Sequence, residues 1–306
     1  MRRCILVGTP ETTTITGTPG DDWLEGDGNS LTGTAQGGAQ LILGLAGDDQ
    51  LSGDAGQGML DSAQGGNDTL DGAAGTDFLY GDSPLMRDAT RGGTDLLSGG
   101  AGDDILYGDG VGLYDGAQGG DDSLGGDAGV DLLFGDGAEL AGTARGTVQG
   151  GDDTLAGGAD DDRLFGDALH MLTTSEGGDD SLGSGAGNDT LYGDAGQMLG
   201  TSEGGDDSLD GGIGDDVLYG DGPGLSPNAG AGNDTFVFTA VFGSDTVQDF
   251  LQGMDLLEFD VPGVAGLGDL TIATGVSATV ITAGSFGTVT LAGFTGVLTA
   301  ADFVFA

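Results

Sequence analysis

The sequence has no lysine and only one cysteine, one histidine and one tryptophan. Six arginines stand against 51 acidic residues, a formal net charge of −45. A balance so one-sided repels nucleic acid and anionic membrane surfaces and attracts cations. Cys4 alone permits no internal disulfide and no thiolate zinc cluster. With His170 as the sole histidine there is no HExxH or similar zinc motif. Long apolar runs are missing too: nothing approaches the roughly 20 residues of a membrane-spanning helix, so no transmembrane segment is expected. Met1-Arg2-Arg3 before Cys4 to Val7 imitates the start of a secretory signal, but its apolar run falls short of the ~7 residues such a signal requires. Catalytic patterns are equally scarce. Gly200 to Gly204 satisfies GxSxG, yet His170 precedes it, whereas the hydrolase triad has its histidine downstream. The chain is expected not to be an enzyme.

Glycine is what the chain has in abundance, 69 of 306 residues, together with aspartate; only Glu11, Glu25, Glu139, Glu176, Glu203 and Glu258 are glutamate. The stretch GGAGDDILYGDG, Gly99 to Gly110, is representative: five glycines and three aspartates in twelve residues, and only Ile105, Leu106 and Tyr107 able to bury anything. Aligned on the pattern Asp-x-apolar, the chain yields Asp22, Asp49, Asp68, Asp77, Asp95, Asp104, Asp122, Asp131, Asp153, Asp162, Asp180, Asp189, Asp207, Asp216 and Asp234, with Gln40 in the one vacant place. Steps of 9 and 18 alternate, apart from one of 19 and one of 22, so the full period is 27. Two residues after every one of these positions stands an apolar side chain, from Leu24 to Phe236.

Such a period, broken by glycine every few residues, excludes helix and fits short strands joined by tight turns in a coiled parallel sheet. Each 18-residue step opens with Gly-Asp (Asp27, Asp54, Asp82, Asp109, Asp136, Asp167, Asp194, Asp221) and makes a detour with one apolar residue at a nearly fixed offset: Leu31, Met59, Met86, Leu113, Leu140, Met171, Met198, Leu225. The detour is expected to lie against the solenoid as a third ridge. Its opening aspartate has two readings, extra ligand or turn former. Tyr80, Tyr107, Phe134, Phe165, Tyr192 and Tyr219 form a further ladder facing away from the inward leucines, read as an aromatic stack before a carbohydrate-binding stripe.

GGAGDDILY resembles the nonapeptide GGxGxDxUx of the repeats-in-toxin (RTX) family, as do GGIGDDVLY at Gly211, SGAGNDTLY at Ser184 and the looser GAAGTDFLY at Gly72. The resemblance covers 17–238. It implies an all-β fold, a right-handed parallel β-roll or β-solenoid here of about 27 residues per turn, with several Ca²⁺ ions between turns. The fifteen aspartates named above are then the metal ligands, together with glycine-turn carbonyls. Gln40, which lacks the carboxylate, and Asp160, which replaces a loop glycine, depart from the family's pattern. The physics points the same way. Three buried apolar side chains per coil do not offset the cost of ordering its backbone, and a hard cation that gathers carboxylates and carbonyls supplies what is missing.

Residues 1–16 are expected to form an N-terminal segment or cap strand, with Ile5 to Val7 and Thr12 to Thr16 as candidates. Beyond Phe238 glycine thins out, and 239–306 reads as a β-rich C-terminal cap. GSDTVQDFLQGMDLLEF and the terminal DFVFA resemble the C-terminal region of RTX proteins exported by type I secretion, which implies an ABC transporter as partner during export. With only the short segment Met1 to Thr16 before the repeats and no effector in it, the expected role is a secreted, calcium-folded structural or adhesive protein of a surface layer, matrix or filament. Self-association or a cell-surface polysaccharide would be its partner. The other readings are an extracellular carbohydrate- or partner-binding module, and the C-terminal part of a larger RTX enzyme.

Overall fold

Because glycine turns recur every few residues, the chain cannot build long strands, and it closes its backbone hydrogen bonds by stacking short ones from successive coils. In a computed structural model describing residues 4–8, 13–143, 146–223 and 229–306, the strands run from two to six residues. One coil reads Leu96–Ala101, Ile105–Tyr107, Gly112–Tyr114, and the next begins at Ser123–Ala128. Leu97 pairs with Leu124, Leu106 with Leu133 and Leu113 with Leu140, each in parallel register one full period apart. The fold is a parallel β-solenoid with sheets of 13, 11 and six strands.

The detours are not a ridge laid on a two-faced coil. They form its third face, the six-stranded sheet running from Gly28–Leu31 to Ala168–Leu172. A constant period fixes the reason: backbone in one detour meets its equivalent one coil away and pairs with it, as Leu85 to Arg87 do with Gly112 to Tyr114. Met198 continues this face through a bridge to Met171, and Leu225 lies outside the described residues.

Two separate apolar clusters result. The inward leucines of the two larger sheets form one, and Met59, Met86, Leu113, Leu140, Met171 and Met198 with small neighbours form the other. The chain crosses from the first cluster at Leu106 to the second at Leu113 through Asp109, and returns to Leu124 through Asp122, so a carboxylate stands at each crossing. Truncating one rung of the larger row, Leu106→Ala, is expected to cost about 2–5 kcal/mol. A lowered thermal midpoint in saturating calcium is the readout.

Cys4–Val7 and Thr14–Thr16 are the first rungs of the two larger sheets, paired in parallel to Asp22–Glu25 and Leu41–Leu43; Thr12 lies outside the described residues. Parallel pairing continues past Phe238. Gly243–Val247 stacks on Val217–Tyr219, Leu256–Asp260 on Thr235–Thr239, and Phe303–Phe305 on Leu256–Asp260. The larger sheet then turns antiparallel through Ala278–Thr282 to Thr271–Thr274. Phe238, Phe242 and Phe259 pack on one another inside this C-terminal end of the larger apolar cluster, together with Leu257 and Leu291.

Candidate calcium sites

Every one of the fifteen aspartates is at most 3% exposed, which rules out a solvated acidic surface. They fall into two rows. Asp22, Asp49, Asp77, Asp104, Asp131, Asp162, Asp189 and Asp216 stand at the nonapeptide turn; Asp68, Asp95, Asp122, Asp153, Asp180, Asp207 and Asp234 stand where each detour rejoins, after Gln40. In both rows one carboxylate oxygen is used by the backbone of the coil before it. The Asp77 N–H donates to Asp104 Oδ1 at 2.8 Å, and the Asp95 N–H to Asp122 Oδ1 at 2.7 Å. The other oxygen, Oδ2, is buried without a hydrogen-bond partner from Asp49 to Asp216 in the first row and from Asp68 to Asp234 in the second.

Glycine makes room for these oxygens. A Cβ on Gly72 would stand 2.5 Å from Asp77 Oδ2 and 2.8 Å from the Gly99 carbonyl. A Cβ on Gly81 would collide with both Asp95 Oδ2 and the Gly108 carbonyl. Carboxylate and carbonyl oxygens of adjacent coils therefore converge on space that only glycine leaves free. At the turn, Gly75, Gly102 and Gly129 hold φ of 152°, 136° and 137°, backbone that a side chain strains. Asp160 occupies the equivalent place at φ 80°, and Asp162 beside it keeps the geometry of its row, accepting from the Asp131 N–H at 2.8 Å with Oδ2 unpartnered.

Electrostatically the rows are under strain. Burial raises the carboxyls of Asp77, Asp162 and Asp216 to about 7 and that of Asp131 to about 6, against the lowering effect of the backbone hydrogen bond each accepts. In the second row burial, followed by neighbouring carboxylates, raises Asp68 and Asp234 to about 8 and pushes Asp95, Asp180 and Asp207 well above the ordinary range. A buried anion with an idle oxygen is stable only if protonated or if a cation meets it. Among the described residues no three His, Cys, Asp or Glu side chains form a metal cluster; what converges between coils is carboxylate oxygens with backbone carbonyls. All are hard oxygens, the donor type that Ca²⁺ gathers in sets of about six to eight.

A family model described as the RTX calcium-binding nonapeptide repeat matches residues 7–30, 34–60, 62–83, 90–110, 147–168, 174–197 and 201–222, more than half of the chain. The chain belongs to the RTX calcium-binding repeat family. Between its matched segments, Asp122 and Asp131 keep the same register and burial as their neighbours. No curated protein matches the RTX chain. Among solved structures, the extracellular lipase LipA from Serratia marcescens aligns over 97% of this chain and 40% of its own, at 18% identity and a TM-score of 0.31. The RTX chain thus spans well under two thirds of that lipase.

The Gly-Asp openings, ambiguous in sequence, form a third row. Asp54, Asp82, Asp109, Asp136, Asp167 and Asp194 are wholly buried. One oxygen of each accepts from the second glycine of the following Gly-Gly pair, or of its equivalent, as Asp54 Oδ2 does from the Gly66 N–H at 2.8 Å; the other oxygen is unpartnered. Asp245, Asp249 and Asp255 extend the rows past Phe238: Asp245 accepts from the Asp216 N–H at 3.2 Å, Asp255 from the Asp234 N–H at 3.3 Å, and Asp249 from the Gly220 N–H at 2.9 Å. Asp245-Thr246-Val247 and Asp255-Leu256-Leu257 repeat the Asp-x-apolar pattern, a signal hidden by the broken period. At the other end Asp22 differs, since Oδ2 accepts from the Thr18 N–H and both its oxygens lie within reach of the Thr18 hydroxyl.

The aromatic ladder is a stack, with ring centroids 4.6–5.4 Å apart from Tyr80 to Tyr219. Tyr80, Phe134 and Phe165 are buried, so it offers no continuous ring face to a sugar. Ser202 of the GxSxG match is buried and its hydroxyl donates to the Leu199 carbonyl; His170 pairs with Glu139 in the third face.

Proposed function

We propose that this RTX chain is a secreted protein that folds on calcium outside the cell and serves a structural or adhesive role without catalysis. The observation that carries the reading is the idle, buried Oδ2 repeated coil after coil in two rows. Bound calcium supplies the positive charge that lets those carboxylates stay ionised. The chain's own part is to aim Asp Oδ2 and the glycine carbonyls at one point and to keep water away with the leucine rows. Because cytosolic calcium is scarce, such a coil stays unfolded, and threadable, until it reaches the medium.

The C-terminal strand supports export in the unfolded state. Phe303 and Phe305 stack on each other and on Phe259 once the cap has formed, so a transporter reading this end must act before folding. Deleting Asp302 to Ala306 is expected to leave the chain inside cells that carry a type I exporter, while the intact chain appears in the medium or on the surface. Fractionation and immunoblotting check it. Equal export of both forms, or an intact chain that stays inside, defeats the proposal.

A further inference from the structure

In the first coil the vacant place in the aspartate rows is filled by Gln40, and its side chain shows what the space beside the row is for. The Gln40 backbone keeps the row's habit, its N–H donating to Asp68 Oδ1 at 2.6 Å. Its side-chain Nε2 then reaches across to Asp27, the third-row carboxylate of the same coil, and donates to Oδ1 at 2.9 Å. Second and third rows are therefore one donor apart. In the following coils the second-row residue is Asp, one carbon shorter than Gln and without an N–H, facing a third-row Asp that also only accepts. Asp82 and Asp95 are buried to within 3% of completely, and each keeps an oxygen with no partner. A Cβ on Gly92, between coils, would collide with Asp109 Oδ1 and stand 2.8 Å from Asp82 Oδ2, so third-row oxygens of adjacent coils converge as well.

We propose that the second and third rows jointly hold a line of calcium ions, separate from the ions of the nonapeptide turns, and that Gln40 closes this line by putting an amide where the other coils put a cation. It deepens the calcium reading above and rests on it. The Gly-Asp aspartates are then ligands of this line, and each of its sites takes two carboxylates per coil where the turn sites take one. The greater charge suits a hard divalent cation and excludes a monovalent one from balancing the site.

Native mass spectrometry of the full chain in calcium counts the ions directly. Asp95→Gln, which copies Gln40, is expected to hold one ion fewer than wild type and to keep wild-type β content, because its amide donates to Asp82. Asp95→Asn, too short to reach, is expected to lose the ion and also to unfold at a higher calcium concentration. Gln40→Asp is expected to gain one ion. A wild-type count in Asp95→Gln overturns the proposal, as does a Gln40→Asp chain that gains nothing. A wild-type chain that binds no calcium at all defeats instead the reading on which it rests.

Discussion

Stripped of calcium by a chelator at neutral pH, the full chain is expected to lose its β signal in far-UV circular dichroism and to regain it cooperatively as calcium is restored. The effect should be close to all-or-none. Each coil places three carboxylates inside, at the turn, at the detour's return and at its opening, with like charges one coil above and below. Against that the coil buries a Leu in each large sheet, one Leu or Met in the third face and, from Tyr80 on, much of one stacked ring, too little to order the whole of its backbone. Binding energy is therefore folding energy, and because coils contact only their neighbours the transition propagates along the stack. A chain equally structured in chelator would sink this account.

Acid should do part of calcium's work. Burial raises Asp131 to about 6, Asp77 to about 7 and Asp68 to about 8, while the same carboxyls in the unfolded chain titrate near 4. A group raised on folding contributes stability that is fully present below the unfolded value and is lost as pH rises through the folded one. In chelator, then, lowering the pH from about 8 towards about 5 is expected to restore β structure, since protonation removes the repulsion and lets neighbouring carboxyls share hydrogen bonds. With calcium present the dependence reverses for binding: protons compete for the same oxygens, and acid releases the ions. Circular dichroism against pH, with and without chelator, reads both limbs. A chelated chain that stays disordered throughout that acid range would show that repulsion between the rows is not what holds the coil open.

Much of the architecture was legible because the physical constraint is periodic. An Asp-x-apolar triplet that returns at a constant period puts the same atoms at the same place in every coil, and the burial of Asp104 and Leu106 follows from that repetition alone. The third face was not legible as a sheet. Its strands, such as Leu85–Arg87 and Gly112–Tyr114, share one apolar position and little else, so nothing in their composition separates strand from a loop lying on the surface. The Gly-Asp carboxylates stayed ambiguous for the same reason: aspartate after glycine is an ordinary turn residue until the third sheet forms and closes over it.

By itself the sequence determined the coil, its period, the inward leucines and the need for a cation, because each follows from counting charges and apolar positions along a repeat. Only the tertiary structure decided that the detours complete a three-faced solenoid, that Asp82 and Asp95 are both buried with an idle oxygen each, and that in the first coil Gln40 reaches Asp27 with its own amide. Those are distances between segments separated along the chain by a whole detour, and their approach depends on how each detour folds back. No local pattern encodes that, since the hydrogen bonds that set it run from one coil to the next.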